Sequence, residues 1–234
     1  MPPTLLDFRL IFLGEFYEGY WKNGLKHGEG VYTWPNGREY RGQWKKGTKH
    51  GFGVAKYEGG AVYEGFWVDN KKHGNGRISW PTGLYYAGQW KEGERSGKGT
   101  FKFLDGVYKG IWVNGKREGE GVYRWEDGRE YSGQWVQDYK HGQGKYVWPN
   151  GDFYNGNWQA DSFNGYGEYH WVSRGEVYKG SWFNDRREGK GKKDQKNLPK
   201  SIFNSFPRLL TLLLVYRQQP ICLFSSLLAL ELRE

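Results

Sequence analysis

Residues 40–53 read YRGQWKKGTKHGFG, and this stretch decides the fold because the chain repeats its pattern. Tyr-x-Gly-x-Trp opens eight successive units at intervals of 22 to 24 residues, and a Gly-x-Gly pair begins eleven residues after each opening Tyr. The opening tyrosines are Tyr17, Tyr40, Tyr63, Tyr86, Tyr108, Tyr131, Tyr154 and Tyr178. A fixed period of this length indicates a repeat protein, in which each unit packs mainly on its neighbours.

Each unit is predicted to form two short strands. In residues 40–44 the large side chains stand at alternate positions with Gly between them, which is the period of a strand with two different faces. The second strand runs from the Gly-x-Gly pair to a closing aromatic residue, as in residues 28–34, and a turn such as Pro-Asn-Gly at 35–37 follows. Short connections between consecutive strands predict an antiparallel meander.

The repeated glycines have no side chain, and the space that this leaves on the sheet is predicted to be covered by aromatic rings. Gly in a strand loses more chain entropy than Ala and packs nothing, so its repetition in register needs a structural reason. One face of a single-layer sheet would then carry a ladder of aromatic rings. With strands about 4.8 Å apart, some fifteen strands would form a ribbon roughly 70 Å long.

The pattern Tyr-x-Gly-x-Trp-x-x-Gly-x-x-His-Gly-x-Gly in residues 17–30 and 40–53 resembles the MORN (membrane occupation and recognition nexus) repeat. The resemblance extends over eight tandem copies in residues 15–191. It implies an all-β fold, an elongated single-layer antiparallel β-meander, that binds other proteins or membrane lipid. Such repeats occur in junctional membrane proteins, plant phosphatidylinositol phosphate kinases, cilium and flagellum components, parasite cytoskeletal scaffolds and a lysine methyltransferase. The resemblance therefore predicts the fold well and the function poorly.

Two segments lie outside the repeats. Residues 1–14 are predicted to be a degenerate N-terminal half-repeat that caps the open edge of the sheet. Residues 192–234 contain 11 Leu and no Gly or Trp, and they are predicted to form a short helical tail. The longest uncharged run of this tail is shorter than the roughly 20 residues that a membrane-spanning helix needs. The tail is open to three interpretations: it packs on the ribbon, contacts a membrane, or is poorly ordered.

The residues give no indication of catalysis, and we expect no enzyme activity, cofactor or metal site. His27, His50 and His73 fall two strands apart, about 9.6 Å, which is too far to share one metal ion. Nucleic acid is not an expected partner, because the repeat period explains the aromatic residues as structure. The single cysteine, Cys222, permits no internal disulfide, which favours a reducing compartment. We expect a cytoplasmic location, which includes the cytoskeleton, a cilium and the cytoplasmic face of a membrane.

The leading functional hypothesis is a non-enzymatic scaffold at a cytoskeletal or ciliary structure that holds a partner polypeptide in an aromatic groove. A ladder of Tyr and Trp is costly to leave in water, so it invites a helix or an extended segment of a partner, the tail, or a second copy of the chain. The predicted groove residues are Tyr40, Trp44, Tyr63, Trp67, Tyr86, Trp90, Tyr108, Trp112, Tyr131 and Trp135.

The alternative hypothesis is a membrane-targeting module that binds phosphoinositides or other anionic lipids, as an accessory region of a lipid kinase would. The net charge is +9, and the turn that follows Trp in each unit carries cations at the same edge of the sheet. The same turns also carry acids, so the pattern favours an ordinary solvated edge over a site for an anionic ligand. The predicted rim residues are Lys45, Lys46, Lys49, Lys71, Lys72, Arg95, Lys116 and Arg117.

Overall fold

The computed structural model describes residues 7–12 and 14–195, and these residues form one 17-stranded sheet. The strands are β1 (Asp7–Phe12), β2 (Glu15–Lys22), β3 (Leu25–Thr33), β4 (Glu39–Lys45), β5 (Thr48–Lys56), β6 (Val62–Val68), β7 (Lys71–Ser79), β8 (Tyr85–Lys91), β9 (Glu94–Lys102), β10 (Gly106–Val113), β11 (Lys116–Trp125), β12 (Glu130–Val136), β13 (Tyr139–Val147), β14 (Phe153–Gln159), β15 (Ser162–Trp171), β16 (Glu176–Phe183) and β17 (Arg186–Gln195).

The strands pair in chain order. Each strand from β2 to β15 is antiparallel to the strand before it and to the strand after it. The only helical element among the described residues is a three-residue 3-10 turn at Val172–Arg174. The predicted all-β antiparallel meander is confirmed.

A continuous row of glycines crosses the sheet from β2 to β16. Gly19 pairs with Gly30, Gly30 with Gly42, and Gly42 with Gly53, and the same register continues to Gly180. A Cβ atom built on Gly53 would lie 2.6 Å from Cζ of Tyr40, because the ring of that tyrosine lies across the glycines. The predicted packing of rings over vacancies is confirmed, and it is the reason for the second Gly of each Gly-x-Gly pair.

The turns within the repeats need residues with a positive φ. In the hairpin that joins β4 to β5, Lys46 and Gly47 have φ values of 50° and 87°, and the flanking residues Lys45 and Thr48 pair directly. A two-residue loop with two positive φ values is a type I′ turn, which matches the twist of the strands. The first Gly of each Gly-x-Gly pair also has a positive φ, between 56° and 96°, just after a shift in register.

The two ends of the chain are described unequally. β1 pairs with β2 at the place where the N-terminal half-repeat was predicted, although no side chain of residues 1–13 is described. Residues 192–195 were predicted to belong to the non-repeat tail, but they continue β17. From residue 196 onward the predicted helical tail lies outside the described residues, so its structure stays a prediction. In the part of the chain that is described, no helix is long and apolar enough to cross a membrane.

Candidate functional site

The two faces of the sheet differ in what they leave exposed. We call the side that carries the opening Tyr and Trp of each unit the aromatic face, and the opposite side the polar face. The ten residues that were predicted to line a partner groove all lie on the aromatic face, and their exposed fractions are only 0–7%. They form one continuous cluster with the closing aromatic residues, which are half-buried.

The polar atoms of these rings are satisfied within the sheet. Each opening Tyr donates its hydroxyl hydrogen to the backbone carbonyl three residues later, at 2.8–3.2 Å. Each opening Trp from Trp44 onward donates Nε1–H to the carbonyl of the second glycine of the preceding pair, at 2.9–3.4 Å. Buried Tyr and Trp usually require such partners.

The faces of the rings are also occupied. Tyr40 stands edge-on between its own Trp44 and Trp67 of the next unit, with ring centroids 5.0 and 5.5 Å apart and the planes nearly perpendicular. The same arrangement recurs along the sheet. The predicted aromatic groove is therefore the core of the repeat array, and these ten side chains offer almost no surface to a partner.

Six cations complete this core, and sequence reasoning placed four of them at the rim instead. We call them the cation column: Lys26, Lys49, Lys72, Arg95, Arg117 and Lys140. Each lies 4.3–4.9 Å from the ring centroid of the Trp of the next unit, within the range of a cation–π interaction. Lys49 also lies 5.1 Å from the rings of Trp34 and Tyr40.

Burial changes the protonation of this core. Desolvation, together with the charges of the neighbouring Arg38, Lys26 and Lys72, lowers the pKa of Lys49 to about 8. Desolvation also raises the pKa of Tyr17 and of Tyr86 to about 12. In the seventh unit, Phe163 occupies the place of the cation and stacks on the ring of Tyr154, at 3.8 Å between centroids. The position therefore accepts an aromatic ring as well as a cation.

A signal for the cation column exists in the sequence. The two-residue turn at residues 46–47 fixes the register of the hairpin, so Lys49 lies directly opposite Trp44. Counting outward from the turn would have placed Lys49 on the aromatic face. The predicted rim must be corrected accordingly: Lys49, Lys72, Arg95 and Arg117 pack over aromatic rings.

The other four predicted rim residues do lie at the turns and are exposed: Lys45, Lys46, Lys71 and Lys116. Lys71 forms an ion pair with Glu92, at 2.6 Å, and Lys116 donates to the side-chain oxygen of Gln137, at 2.7 Å. Side chains of neighbouring turns thus already pair with two of these four lysines.

The polar face contains a hollow that the sequence did not predict. Its volume is about 910 Å³, and it lies over the central strands β9 to β14. Its side chains include Lys98, Lys109, Arg124 and Lys145, with Glu120 as the only acid among its lining residues. The smaller side chains of Val122 and Ser132 line the hollow between Lys109 and Lys145.

Exposed apolar side chains lie on the same face, nearer the N-terminus. Phe16, Phe52 and Phe66 are 49%, 44% and 49% exposed, and the rings of Phe52 and Phe66 meet edge to face at 5.7 Å. A second hollow, of about 430 Å³, has Phe52, Phe66 and Ala87 in its lining together with the polar side chains of Glu64, Asn75 and Arg77. Both of these hollows therefore lie on the polar face.

The histidines do not assemble a site. Nδ1 of His50 and Nδ1 of His73 are buried and have no hydrogen-bond partner among the described residues. Within residues 7–12 and 14–195, no group of three His, Cys, Asp or Glu side chains could hold a metal ion.

The sequence model of the MORN repeat matches eight consecutive segments of the chain. The segments are 17–37, 40–62, 63–85, 86–107, 108–128, 131–153, 154–176 and 178–197. The chain belongs to the MORN repeat family. The eight matched segments correspond to the eight predicted units, although the last extends to residue 197, beyond the predicted end of the repeats at residue 191. Each contains an opening Tyr over one pair of glycines.

Comparison of this MORN protein with solved structures returned distant similarities. One is the SAS-4 (dCPAP) TCP domain of Drosophila melanogaster in complex with a proline-rich motif of Ana2, at a TM-score of 0.37 and 11% identity, covering 72% of this chain and 90% of that one. Another is a mutant TCP10 domain of Danio rerio CPAP, at a TM-score of 0.37 and 12% identity, covering 77% and 89%. No curated protein gave a significant match.

Proposed function

We propose that this MORN protein is a non-enzymatic interaction protein that holds a partner polypeptide against the polar face of its sheet. The observation that carries the proposal is the contrast between the faces. The ten candidate groove rings on the aromatic face are at most 7% exposed and their polar atoms are paired, whereas the polar face has the hollows and the exposed phenylalanines.

The lining of the central hollow suits binding better than catalysis. Its polar side chains are Lys, Arg, Gln, Asn, Ser and a single Glu. General acid–base or nucleophilic catalysis needs a nucleophile or a titratable pair held within hydrogen-bond reach, and the lining supplies hydrogen-bond donors and charge instead. Charged and amide groups on an open surface can supply hydrogen bonds and complementary charge to a partner polypeptide.

We place the site of action at a cytoskeletal or ciliary structure, an expectation that rests on the resemblance to other MORN proteins. Imaging of the tagged full-length chain in ciliated cells tests it. Accumulation on cilia, basal bodies or filaments would support the location, and a uniform distribution would oppose it.

Site-specific photo-crosslinking tests which face binds a partner. A photoreactive amino acid is placed in the full chain at Ser132 on the polar face, at Tyr57 on the aromatic face, or at Lys46 in a turn. We expect discrete protein adducts from Ser132 alone. Adducts from Tyr57 alone would assign binding to the aromatic face, and the absence of adducts at all three positions would contradict an interaction protein.

A second candidate function is the binding of anionic lipid through the turns. The exposed Lys45 and Lys46, for which no ion pair is present among the described residues, favour it. Co-sedimentation of the full chain with phosphoinositide vesicles tests it, with the double variant Lys45→Glu/Lys46→Glu as comparison. Binding that persists at physiological salt and is lost in the variant would support lipid recognition, because weak surface attraction is screened over about 8 Å at that ionic strength.

A further inference from the structure

The distribution of charge and exposed rings on the polar face specifies the chemistry of the partner. We propose that the occupant is a segment of a partner protein that is acidic where it lies over strands β9 to β13 and apolar where it lies over β5 to β7, so that it binds in one direction. This inference rests on the proposed function and adds the class of partner.

The central hollow is basic and its charge is incompletely neutralised. Four cations line it against Glu120. Arg124 is paired with Glu130, at 2.7 Å, and Lys145 lies 4.4 Å from the ring centroid of Phe153. Lys98 and Lys109 have no ion pair in the part of the chain that the structure describes. An acidic segment would supply the missing counter-charges, and complementary charge also accelerates association.

The register of the sheet fixes the spacing of these cations. Lys109, Val122, Ser132 and Lys145 lie opposite one another on four successive strands. Three strand spacings separate Lys109 from Lys145, or about 14 Å. An extended segment that runs along this row advances about 3.3 Å per residue, so its carboxylates would lie about four residues apart.

The N-terminal part of the polar face has a different character. There Glu39 lies 3.9 Å from Arg41 and 3.8 Å from Lys56. The second hollow is lined by one acid, Glu64, and one base, Arg77, which lie opposite each other on β6 and β7, so its charges balance. Phe52 and Phe66 are exposed beside the second hollow. Exposed aromatic rings next to a concavity are the features that anchor a partner through an apolar side chain.

The distance between the two regions sets the design of a probe. Phe66 lies on β6 and Lys109 on β10, and the four strand spacings between them amount to about 19 Å. About six extended residues span that distance. The probe is a fluorescent peptide with two Leu, a neutral spacer of that length and an acidic run. Its matched control carries Lys in place of each acid.

Anisotropy titration of the full chain with these peptides tests the inference. We expect the acidic peptide to bind at least about tenfold more tightly than the Lys control, since each tenfold step needs only about 1.4 kcal/mol. Lys109→Glu/Lys145→Glu should weaken binding about tenfold, whereas Lys45→Glu/Lys46→Glu, with the same change in net charge, should change it less than about twofold. Equal losses in both variants would overturn the inference, because they would show attraction to net charge alone.

The apolar end and the direction are tested separately. Phe52→Ser/Phe66→Ser should weaken binding of the acidic peptide about fivefold, and thermal unfolding verifies that the variant folds. A photoreactive group on the Leu end should crosslink to β5–β7, and one on the acidic end to β9–β13. Crosslinks from both ends to both regions would overturn a single direction.

One outcome separates this inference from the proposed function. Adducts from Ser132 in cells, without any binding of the acidic peptide, would overturn the partner chemistry while leaving the proposed function intact.

Discussion

At the scale of the residue, the two glycines of each Gly-x-Gly pair have different roles. The first adopts a positive φ after the register shift, as Gly51 does at 61°. The second, such as Gly53, has an ordinary φ but lies beneath a tyrosine ring. The positive φ distinguishes the first position, where the flexible side chain of Gln43 also lies close to Gly51, whereas the tyrosine ring alone explains the second.

Gly53→Ala should lower the free energy of unfolding by about 3 kcal/mol, the upper end of the range for overpacked cores. The added methyl group would meet the ring and the hydroxyl of Tyr40. Gly83→Ala is the matched control: it has a φ of 84° and open space, so it should cost only about 1–2 kcal/mol through left-handed strain. Urea denaturation measures both, and a smaller loss at Gly53 than at Gly83 would contradict the packing of the ring over the glycines.

Lys49→Met tests the buried ammonium group. The pKa of Lys49 is about 8 in the folded chain, below its ordinary value of 10.5, so the unfolded chain binds more protons between these two pH values. The unfolding free energy of the parent protein should therefore rise relative to the Met variant from pH 8 to pH 10, by about 1 kcal/mol or less after allowance for partial exposure. Parallel denaturation curves at both pH values measure it. A difference that falls with pH would contradict the desolvation of Lys49.

At the scale of the element, the hairpin turns also connect one unit to the next. Asp138, in the turn between β12 and β13, accepts hydrogen bonds from the backbone N–H of Arg117, at 2.9 Å, and from its Nε, at 3.1 Å. Gly115 has the corresponding place in the preceding turn and has no side chain to do this. Asp, Asn and Gly thus share a positive φ at this position but differ in what they bind.

Asp138→Gly and Asp138→Ala separate these two contributions. The Gly variant keeps the positive φ and loses the hydrogen bonds, which should cost about 1 kcal/mol. The Ala variant loses the same bonds and also strains the turn, so it should cost about 2 kcal/mol or more. Thermal unfolding of both variants measures the difference. Equal losses would indicate that the conformation of the turn contributes nothing.

The secondary-structure elements can be predicted from the sequence more completely than the exposed surfaces, because the elements depend on local patterns and the surfaces depend on contacts between units. The strands, the turns and the row of glycines follow from the period of the side chains and from φ preferences, both of which are local. The burial of Tyr40 and Trp44 depends on rings from adjacent units and on Lys49, whose pairing with Trp44 emerges only when the hairpin register is counted. The hollow around Val122 and Ser132 depends on the shape of the sheet, which no local pattern encodes.

At the scale of the whole molecule, the buried tyrosine hydroxyls should make the stability of the repeat array depend on pH in the alkaline range. Burial raises the pKa of the opening tyrosines from Tyr17 to Tyr154 above the ordinary value of 10, with Tyr17 and Tyr86 at about 12. A raised acid pKa means that the folded chain holds protons that the unfolded chain releases. Stability should therefore be complete below pH 10 and should be lost as the pH rises beyond it.

The expected alkaline transition is cooperative. Circular dichroism and ultraviolet absorbance of phenolate should change together between pH 10 and about pH 12, because unfolding exposes many phenols at once. A gradual release of the phenol protons from pH 10 while the sheet persists would contradict the burial of these rings.

The central claim is that the aromatic face is the core of the repeat array and that the polar face is its exposed surface. Hydroxyl-radical footprinting of the full chain, read by mass spectrometry, tests it most directly. We expect rapid oxidation of Phe16, Phe52, Phe66 and Tyr166 and little oxidation of Tyr40, Trp44, Tyr63 and Trp67 until the protein unfolds. Oxidation of the opening Tyr and Trp residues at rates near those of the unfolded chain would contradict the claim.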